Sequence, residues 1–155
     1  MLVVPQNINP PLRLLAVIPK HLQREADFIV QAPGRDLWLA GVKWAEPTVQ
    51  VAVPEVSAKT HFDYHSARRK QTLMNRPLPG WSRYVAGAYL RLQEDGLNVP
   101  GLHVFAISDE PTGPGFAFGL GMAFVMAACL LTDYNINDME IRLMVESIRR
   151  EYVEG

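Results

Sequence analysis

Apolar and polar residues alternate in several short segments of the chain, a pattern typical of half-buried β-strands. Four segments of this kind are predicted to be strands: residues 37–40, 48–56, 59–64 and 102–107. The first strand returns from a tight turn at residues 31–35, which the Pro-Gly pair in that turn indicates. Pro54 is expected to mark an edge or a bulge, and residues 59–64 to form a hairpin with the strand before them.

Other segments show the spacing and the end signals of helices. Residues 82–95 place Val85, Ala88, Tyr89 and Leu92 on one apolar stripe. We expect Ser82 to cap the start of that helix and Gly96 its end. A short helix interrupted by Pro19 is predicted for residues 12–23, and a last helix begins near Asn137, where Glu140 completes a capping box.

Residues 116–131 are almost purely apolar. A membrane span needs about 20 such residues, and this segment is shorter and begins in a turn rich in Gly and Pro. A buried core helix is therefore the preferred interpretation, and we expect no membrane partner. Because strands come first and most helices later, the predicted fold class is α+β, with helices packed on one face of a sheet. Residues 1–27 are expected to form a surface arm and a short helix, and residues 28–155 the folded domain.

Composition narrows the function classes. The chain has 155 residues, 15 basic and 16 acidic, and a net charge of −1, which excludes binding to nucleic acid by bulk positive charge. The single Cys129 excludes an intrachain disulfide framework and a zinc site built from cysteines. No signal sequence is apparent, and a single cysteine suits a reducing compartment, so we expect a cytoplasmic protein. The net charge of −1 leads us to expect no nucleic-acid partner.

Four glycines follow the strand at residues 102–107 and enter the apolar helix: Gly113, Gly115, Gly119 and Gly121. We call residues 108–122 the glycine segment. Glycines let backbone N–H groups approach a ligand, and the start of a helix favours an anion, so the segment is a candidate phosphate cradle. It is not a Walker A loop, because no Gly-Lys-Ser/Thr follows. Close packing of the helix on the sheet explains the same glycines, and Asp109 and Glu110 argue mildly against anion binding.

The histidines offer a weaker candidate. On a strand, His61, Asp63 and His65 would lie on one face, where two imidazoles and a carboxylate can bind a metal. A solvent-facing strand is the preferred interpretation, and we predict no metal site.

The glycine segment resembles the phosphate-binding motif of the GHMP small-molecule kinases, above all the galactokinases, whose motif is approximately P-x-G-x-G-L-S-S-S-A-A. The chain reads PTGPGF at residues 111–116. Residues 31–35, QAPGR, resemble the A-P-G-R opening of galactokinases, and residues 81–87 resemble their W-x-x-Y-x-x-G helix. The resemblance covers residues 28–155 and implies that family's N-terminal domain, a left-handed β-α-β layer related to domain 2 of ribosomal protein S5.

The resemblance implies a role for Arg35 beside the reacting groups, where a cation stabilises transferred charge. The alternative for Arg35 is a surface salt bridge. The chain also departs from the family pattern: Ala117, Phe118 and Gly119 stand where serines help to hold phosphate and Mg²⁺. Residues 41–44, GVKW, stand where galactokinases carry the E-H-T-D that binds sugar hydroxyls.

These departures predict a degenerate GHMP domain, a pseudoenzyme that serves as a binding or assembly module. The sequence ends just before the position of the family's catalytic Asp and second domain, which supports the same expectation. We expect no cofactor. The alternative is half of an ATP-dependent sugar or small-molecule kinase, which would use ATP and Mg²⁺ together with a separate C-terminal chain. We expect a homodimer or that separate chain as the partner, because a domain of this kind exposes apolar surface.

Overall fold

A five-stranded sheet forms the middle of the computed structural model, which describes residues 9–155. The strands are β1 (Phe28–Gln31), β2 (Leu37–Trp44), β3 (Thr48–Val53), β4 (Ala58–Asp63) and β5 (Gly101–Ser108). Their lateral order is β1-β2-β5-β3-β4, and only the β3–β5 pair is parallel. The four predicted strands are confirmed with different ends: β2 continues four residues beyond its predicted end and pairs along its whole length with β5, and β3 stops at Val53 instead of residue 56. The strand β1 was not predicted.

Five α-helices surround the sheet. They are α1 (Leu12–Leu22), α2 (Tyr64–Arg68), α3 (Arg83–Glu94), α4 (Pro114–Leu131) and α5 (Asp138–Ile148). Short 3₁₀ turns at Pro54–Val56 and Gly80–Ser82 and a π-helical turn at Arg149–Val153 complete the elements. The α+β class predicted from the sequence is confirmed. The first part of the predicted surface arm, residues 1–8, lies outside the described residues.

The main core lies between one face of the sheet and the helices α3, α4 and α5. Alternate strand residues point into it, for example Leu39, Val51, Phe62 and Val104, each at most 3% exposed. Helix α4 is apolar on nearly all sides because it packs against the sheet and both neighbouring helices. By length and composition α4 is able to cross a membrane, but 67% of its 18 residues are buried inside this domain.

The opposite face of the sheet carries a second, smaller core under α1. Leu14 and Ile18 of α1 pack there on residues such as Trp38, Phe105 and Ile107. The sequence predicted helices on one face only, so this layer corrects that expectation. This second layer forms because α1 is amphipathic and its apolar residues need a surface to pack on. The other face of the sheet is already covered by α3 to α5.

The ends of the helices follow the predictions with one exception. Asn137 accepts a hydrogen bond from the Glu140 amide at 2.8 Å, and the Glu140 carboxylate accepts from the Asn137 amide, which confirms the capping box. Gly96 has a φ of +90° just after α3, as a helix end requires. The predicted Ser82 cap is wrong: its hydroxyl donates instead to the Pro79 carbonyl at 2.8 Å.

Candidate functional site

The glycine segment joins β5 to the buried helix α4. Pro114 is the first residue of that helix, a position where no N–H is needed. The first helical hydrogen bond runs from the Ala117 amide to the Gly113 carbonyl at 3.0 Å. The amides of Gly115 and Phe116 lie ahead of it, so the helix itself offers them no acceptor. This end of α4 is therefore the part of the segment that is able to face an anion.

Arg35 lies directly above this end of α4. Its turn contains Gly34 in the left-handed region (φ +68°), and the Gln31 side chain donates to the Arg35 carbonyl at 2.8 Å. A β-carbon added at Gly115 would lie 3.1 Å from a guanidinium nitrogen of Arg35. One added at Gly119 would lie 3.2 Å from the Arg35 Cδ. These two glycines therefore make room for an arginine side chain.

The other two predicted glycines have different surroundings. A β-carbon at Gly121 would lie 2.8 Å from the Cβ of Tyr84 on α3, so Gly121 allows two helices to pack closely. A β-carbon at Gly113 would meet nothing within 4 Å. The structure thus places the exposed Gly115 and the buried Gly119 against Arg35 and assigns Gly121 to the packing of α3 on α4. Close packing of the helix on the sheet, the alternative explanation of the glycines, holds for Gly119, where a β-carbon would also lie 3.2 Å from the Leu37 Cδ1 of β2.

Arg35 is held by Glu110 at the start of the glycine segment. The guanidinium donates from Nε and Nη2 to the carboxylate, with distances of 3.1 Å and 2.8 Å to Oε1. Both side chains are 26% exposed. Glu110 is itself positioned by Ser108, whose hydroxyl accepts from the Glu110 amide at 2.9 Å and donates to the Asp36 carbonyl at 2.8 Å. The carboxylate therefore occupies the guanidinium edge with which an anionic ligand would otherwise form a bidentate pair.

Two phenylalanines lie in the first turns of α4. Phe116 is 3% exposed and belongs to the main core. Phe118 is half-buried and packs edge-to-face on Tyr84, with ring centroids 5.6 Å apart. Residues 113–122 contain no hydroxyl and no carboxylate, so this stretch supplies no side-chain oxygen to a phosphate-bound Mg²⁺.

An open cavity of about 690 Å³ lies beside Arg35, between the β1–β2 turn and α5. Its lining includes Arg35, Asp36, Glu110, Phe118, Arg142 and Glu146. Glu146 pairs with Arg149 at 2.6 Å, whereas Arg142 forms no salt bridge within residues 9–155. The cavity thus combines an apolar floor with charges of both signs.

Comparisons with known proteins identify the fold. No family model and no curated protein sequence matches the chain. A galactokinase from Lactococcus lactis, solved with galactose, matches 79% of this chain with a TM-score of 0.61 and 16% identity. A mevalonate kinase from Methanococcus jannaschii also matches 79%, with a TM-score of 0.56 and 12% identity. A D-glycero-D-manno-heptose 1-phosphate kinase from Bacteroides thetaiotaomicron matches 74%, with a TM-score of 0.53 and 12% identity.

The fold is that of the GHMP kinase N-terminal domain. Identities this low show the fold alone. The chain spans 31–38% of the length of the matched kinases. The resemblance read from the sequence is confirmed at the level of the fold, and the roles that it implies for Arg35 and the glycines stay predictions.

The positions that resemble the sugar-binding motif lie within the sheet. Gly41 and Val42 are buried in β2, and a β-carbon at Gly41 would lie 2.6 Å from the His103 carbonyl of β5. Lys43 and Trp44 continue the same strand, paired with Leu102 and Gly101. Residues 41–44 of this GHMP fold therefore form a strand paired along its length, with no hydrogen-bonding residue of the E-H-T-D type.

The shared face considered for His61, Asp63 and His65 does not exist. β4 ends at Asp63, whose carboxylate accepts from the Ser66 amide at 2.8 Å and caps α2. His65 belongs to that helix, so its side chain leaves the strand. No group of three or more His, Cys, Asp or Glu at metal-binding spacing occurs among the described residues.

The partner of Arg35 that the sequence did not identify is Glu110. The sequence suggested only that Asp109 and Glu110 would oppose anions in general. The structure separates them: Asp109 pairs with Arg13 at 2.7 Å, and Glu110 pairs with Arg35. The two residues of the Arg35–Glu110 pair are 75 positions apart, and no local pattern links them.

Proposed function

We propose that this domain has the GHMP kinase fold without kinase activity of its own and that it acts as a binding or assembly module. The observation that carries the proposal is the bidentate pair of Arg35 and Glu110. Phosphoryl transfer needs unpaired positive charge that stabilises the developing charge of the phosphate. In this domain the arginine beside the glycine segment is already neutralised by a carboxylate of the same chain.

The glycine segment supports the same proposal. Gly115 and Gly119 lie beneath Arg35, and Gly121 lies against α3, so three of the four glycines contact protein rather than open space. No hydroxyl follows them to hold a metal-bound phosphate. The cavity beside Arg35 is lined by apolar side chains and by charges of both signs, a composition that suits ligand binding better than phosphoryl transfer.

A calorimetric titration of the full chain with Mg-ATP tests the proposal. We expect no binding tighter than about 1 mM, which corresponds to about −4 kcal/mol. A galactokinase titrated in the same buffer serves as the positive control, and circular dichroism of the sample before and after titration confirms that it stays folded. Binding in the micromolar range, or release of ADP with a panel of sugars, would overturn the proposal.

The second candidate function is half of an ATP-dependent sugar or small-molecule kinase that needs a separate chain with the C-terminal domain. The observation in its favour is the open space at Gly113 together with the amides of Gly115 and Phe116, which face no helical acceptor. Micromolar Mg-ATP binding by this chain without turnover favours this candidate over the first.

The assembly part of the proposal concerns α5. Met139 and Leu143 are one turn apart on this helix and are 65% and 61% exposed. We propose that this face mediates self-association into a homodimer, the simplest way to cover an apolar surface on a single kind of chain. A cytoplasmic location is part of the same proposal, because the single cysteine is buried and unpaired.

A further inference from the structure

Three polar side chains form a row across the face of the sheet that lies opposite α4 and α5. His61 of β4 and His103 of β5 both pair in register with Gln50 of β3, which lies between them. All three are half-buried, whereas the residues that follow Gln50 and His103, Val51 and Val104, point into the main core. We call His61, Gln50 and His103 the histidine row.

The two imidazoles of the row approach each other above Gln50. Their ring centroids are 6.0 Å apart and their planes are nearly perpendicular. The indole of Trp44 is stacked on His103 at 3.6 Å, which fixes the orientation of that ring. The Nε2 atoms of both histidines are buried and have no hydrogen-bond partner within residues 9–155. A buried nitrogen without a partner is unfavourable, so two of them on neighbouring rings call for an explanation.

We propose that the histidine row binds one divalent transition-metal ion between His61 and His103. Metal–nitrogen bonds of about 2.0–2.1 Å at a tetrahedral angle place two imidazole centroids about 5 Å apart, close to the observed separation. The Gln50 amide oxygen and water complete the coordination, since the described residues offer no third His, Cys, Asp or Glu within a ligand cluster. Imidazole ligands suit Zn²⁺, Cu²⁺ and Ni²⁺.

Burial of the row favours the neutral imidazoles that metals need. Burial lowers the pKa of His61, Lys59 lowers it further, and Glu46 and Asp63 oppose this. Burial also lowers the pKa of His103, with smaller lowering contributions from His61 and Lys59, and Glu46 opposes them. The Glu46 carboxylate, which acts on both rings, offsets part of the charge of a bound cation.

Calorimetric titration of the full, tag-free chain with ZnCl₂, and separately with CuCl₂, tests the proposal. We expect one ion per chain with a dissociation constant in the micromolar range. His61→Gln and His103→Gln are each expected to weaken binding at least tenfold, because one imidazole alone holds the ion poorly. His21→Gln and His65→Gln, which change exposed histidines outside the row, are the matched controls and should bind like the original chain.

A spectroscopic measurement separates binding at the row from binding elsewhere. Cu²⁺ between the two histidines should quench the fluorescence of Trp44, and Trp44→Phe should remove the quenched component while the ion still binds. Thermal melts of all variants confirm that they are folded. Equal affinity in the two row variants and the two controls, or no binding by the original chain below about 1 mM, would overturn the proposal. It does not rest on the proposed function, because the row lies on the other face of the sheet.

Discussion

At the scale of single residues, we expect the Arg35–Glu110 pair to limit which ligands the candidate site binds. Glu110→Gln keeps the size of the side chain and removes the charge that neutralises Arg35. We expect this variant to bind sulfate or inorganic phosphate at least several-fold more tightly than the original chain, measured by NMR titration. The pair is partly exposed, so its loss should cost no more than about 1 kcal/mol in the free energy of unfolding.

Glu146→Gln is the matched control, because Glu146 lines the same cavity but pairs with Arg149 instead. The control should leave anion affinity unchanged. If both variants gain affinity equally, the effect comes from net charge alone, and the specific role given to Glu110 is wrong.

The single cysteine gives a second prediction at this scale. Burial raises the pKa of the Cys129 thiol from 9.0 to about 11. Since the pKa is higher in the folded than in the unfolded chain, the resulting stability is complete below about pH 9 and is lost as the pH rises through about 11. At pH 8 the thiol should therefore resist a thiol reagent in the folded chain and react once guanidinium unfolds it. Rapid, complete modification of the folded chain would contradict this.

At the scale of elements, the contact between α3 and α4 depends on Gly121. In Gly121→Ala the new β-carbon would lie 2.8 Å from the Cβ of Tyr84, an atom that moves only with the helix backbone. We expect the free energy of unfolding to fall by about 1–3 kcal/mol, measured by urea denaturation. Gly80→Ala is the control, because a β-carbon there meets nothing within 4 Å, and its effect should stay within about 0.5 kcal/mol. Equal stability of the two variants would contradict the close α3–α4 contact assigned to Gly121.

The elements also show which parts of the fold local sequence patterns predict. Helices α3, α4 and α5 were predictable because their apolar spacing and end residues are local signals. The short helix α2 was missed, although Asp63 and Ser66 form a capping box that is visible in the sequence. The insertion of β5 between β2 and β3 was not predictable, since it depends on contacts between distant segments.

The same limit applies to the candidate sites. Arg35 and the glycines were found from motifs, but their contacts with Glu110 and Tyr84 were not. Likewise, the sequence grouped His61 with its neighbour His65, whereas the sheet brings it beside His103, 42 positions away in the sequence. Local spacing identifies candidate residues, and only the tertiary structure determines their partners.

At the scale of the whole molecule, the fold is that of the GHMP kinase N-terminal domain, whereas the loss of its usual chemistry is our proposal. The sheet and helices α3 to α5 depend on apolar burial, which tolerates many sequences of similar pattern. Phosphoryl transfer depends on a few polar groups at fixed places, and the resemblance to GHMP kinases predicts that Phe118, Gly119 and the paired Arg35 occupy those places here. If the proposed loss of kinase activity holds, the surfaces of the domain are its remaining means of function, and its partners become the main functional question.

Self-association through α5 is the prediction that answers this question for a single kind of chain. Sedimentation velocity at tens of micromolar should show a dimer, and Met139→Glu combined with Leu143→Glu should give a monomer, because two buried charges on each chain would face each other across the two-fold axis. Met74→Glu is the control, since Met74 is 79% exposed on another surface and should leave the dimer intact. A monomer at all concentrations would contradict self-association through α5.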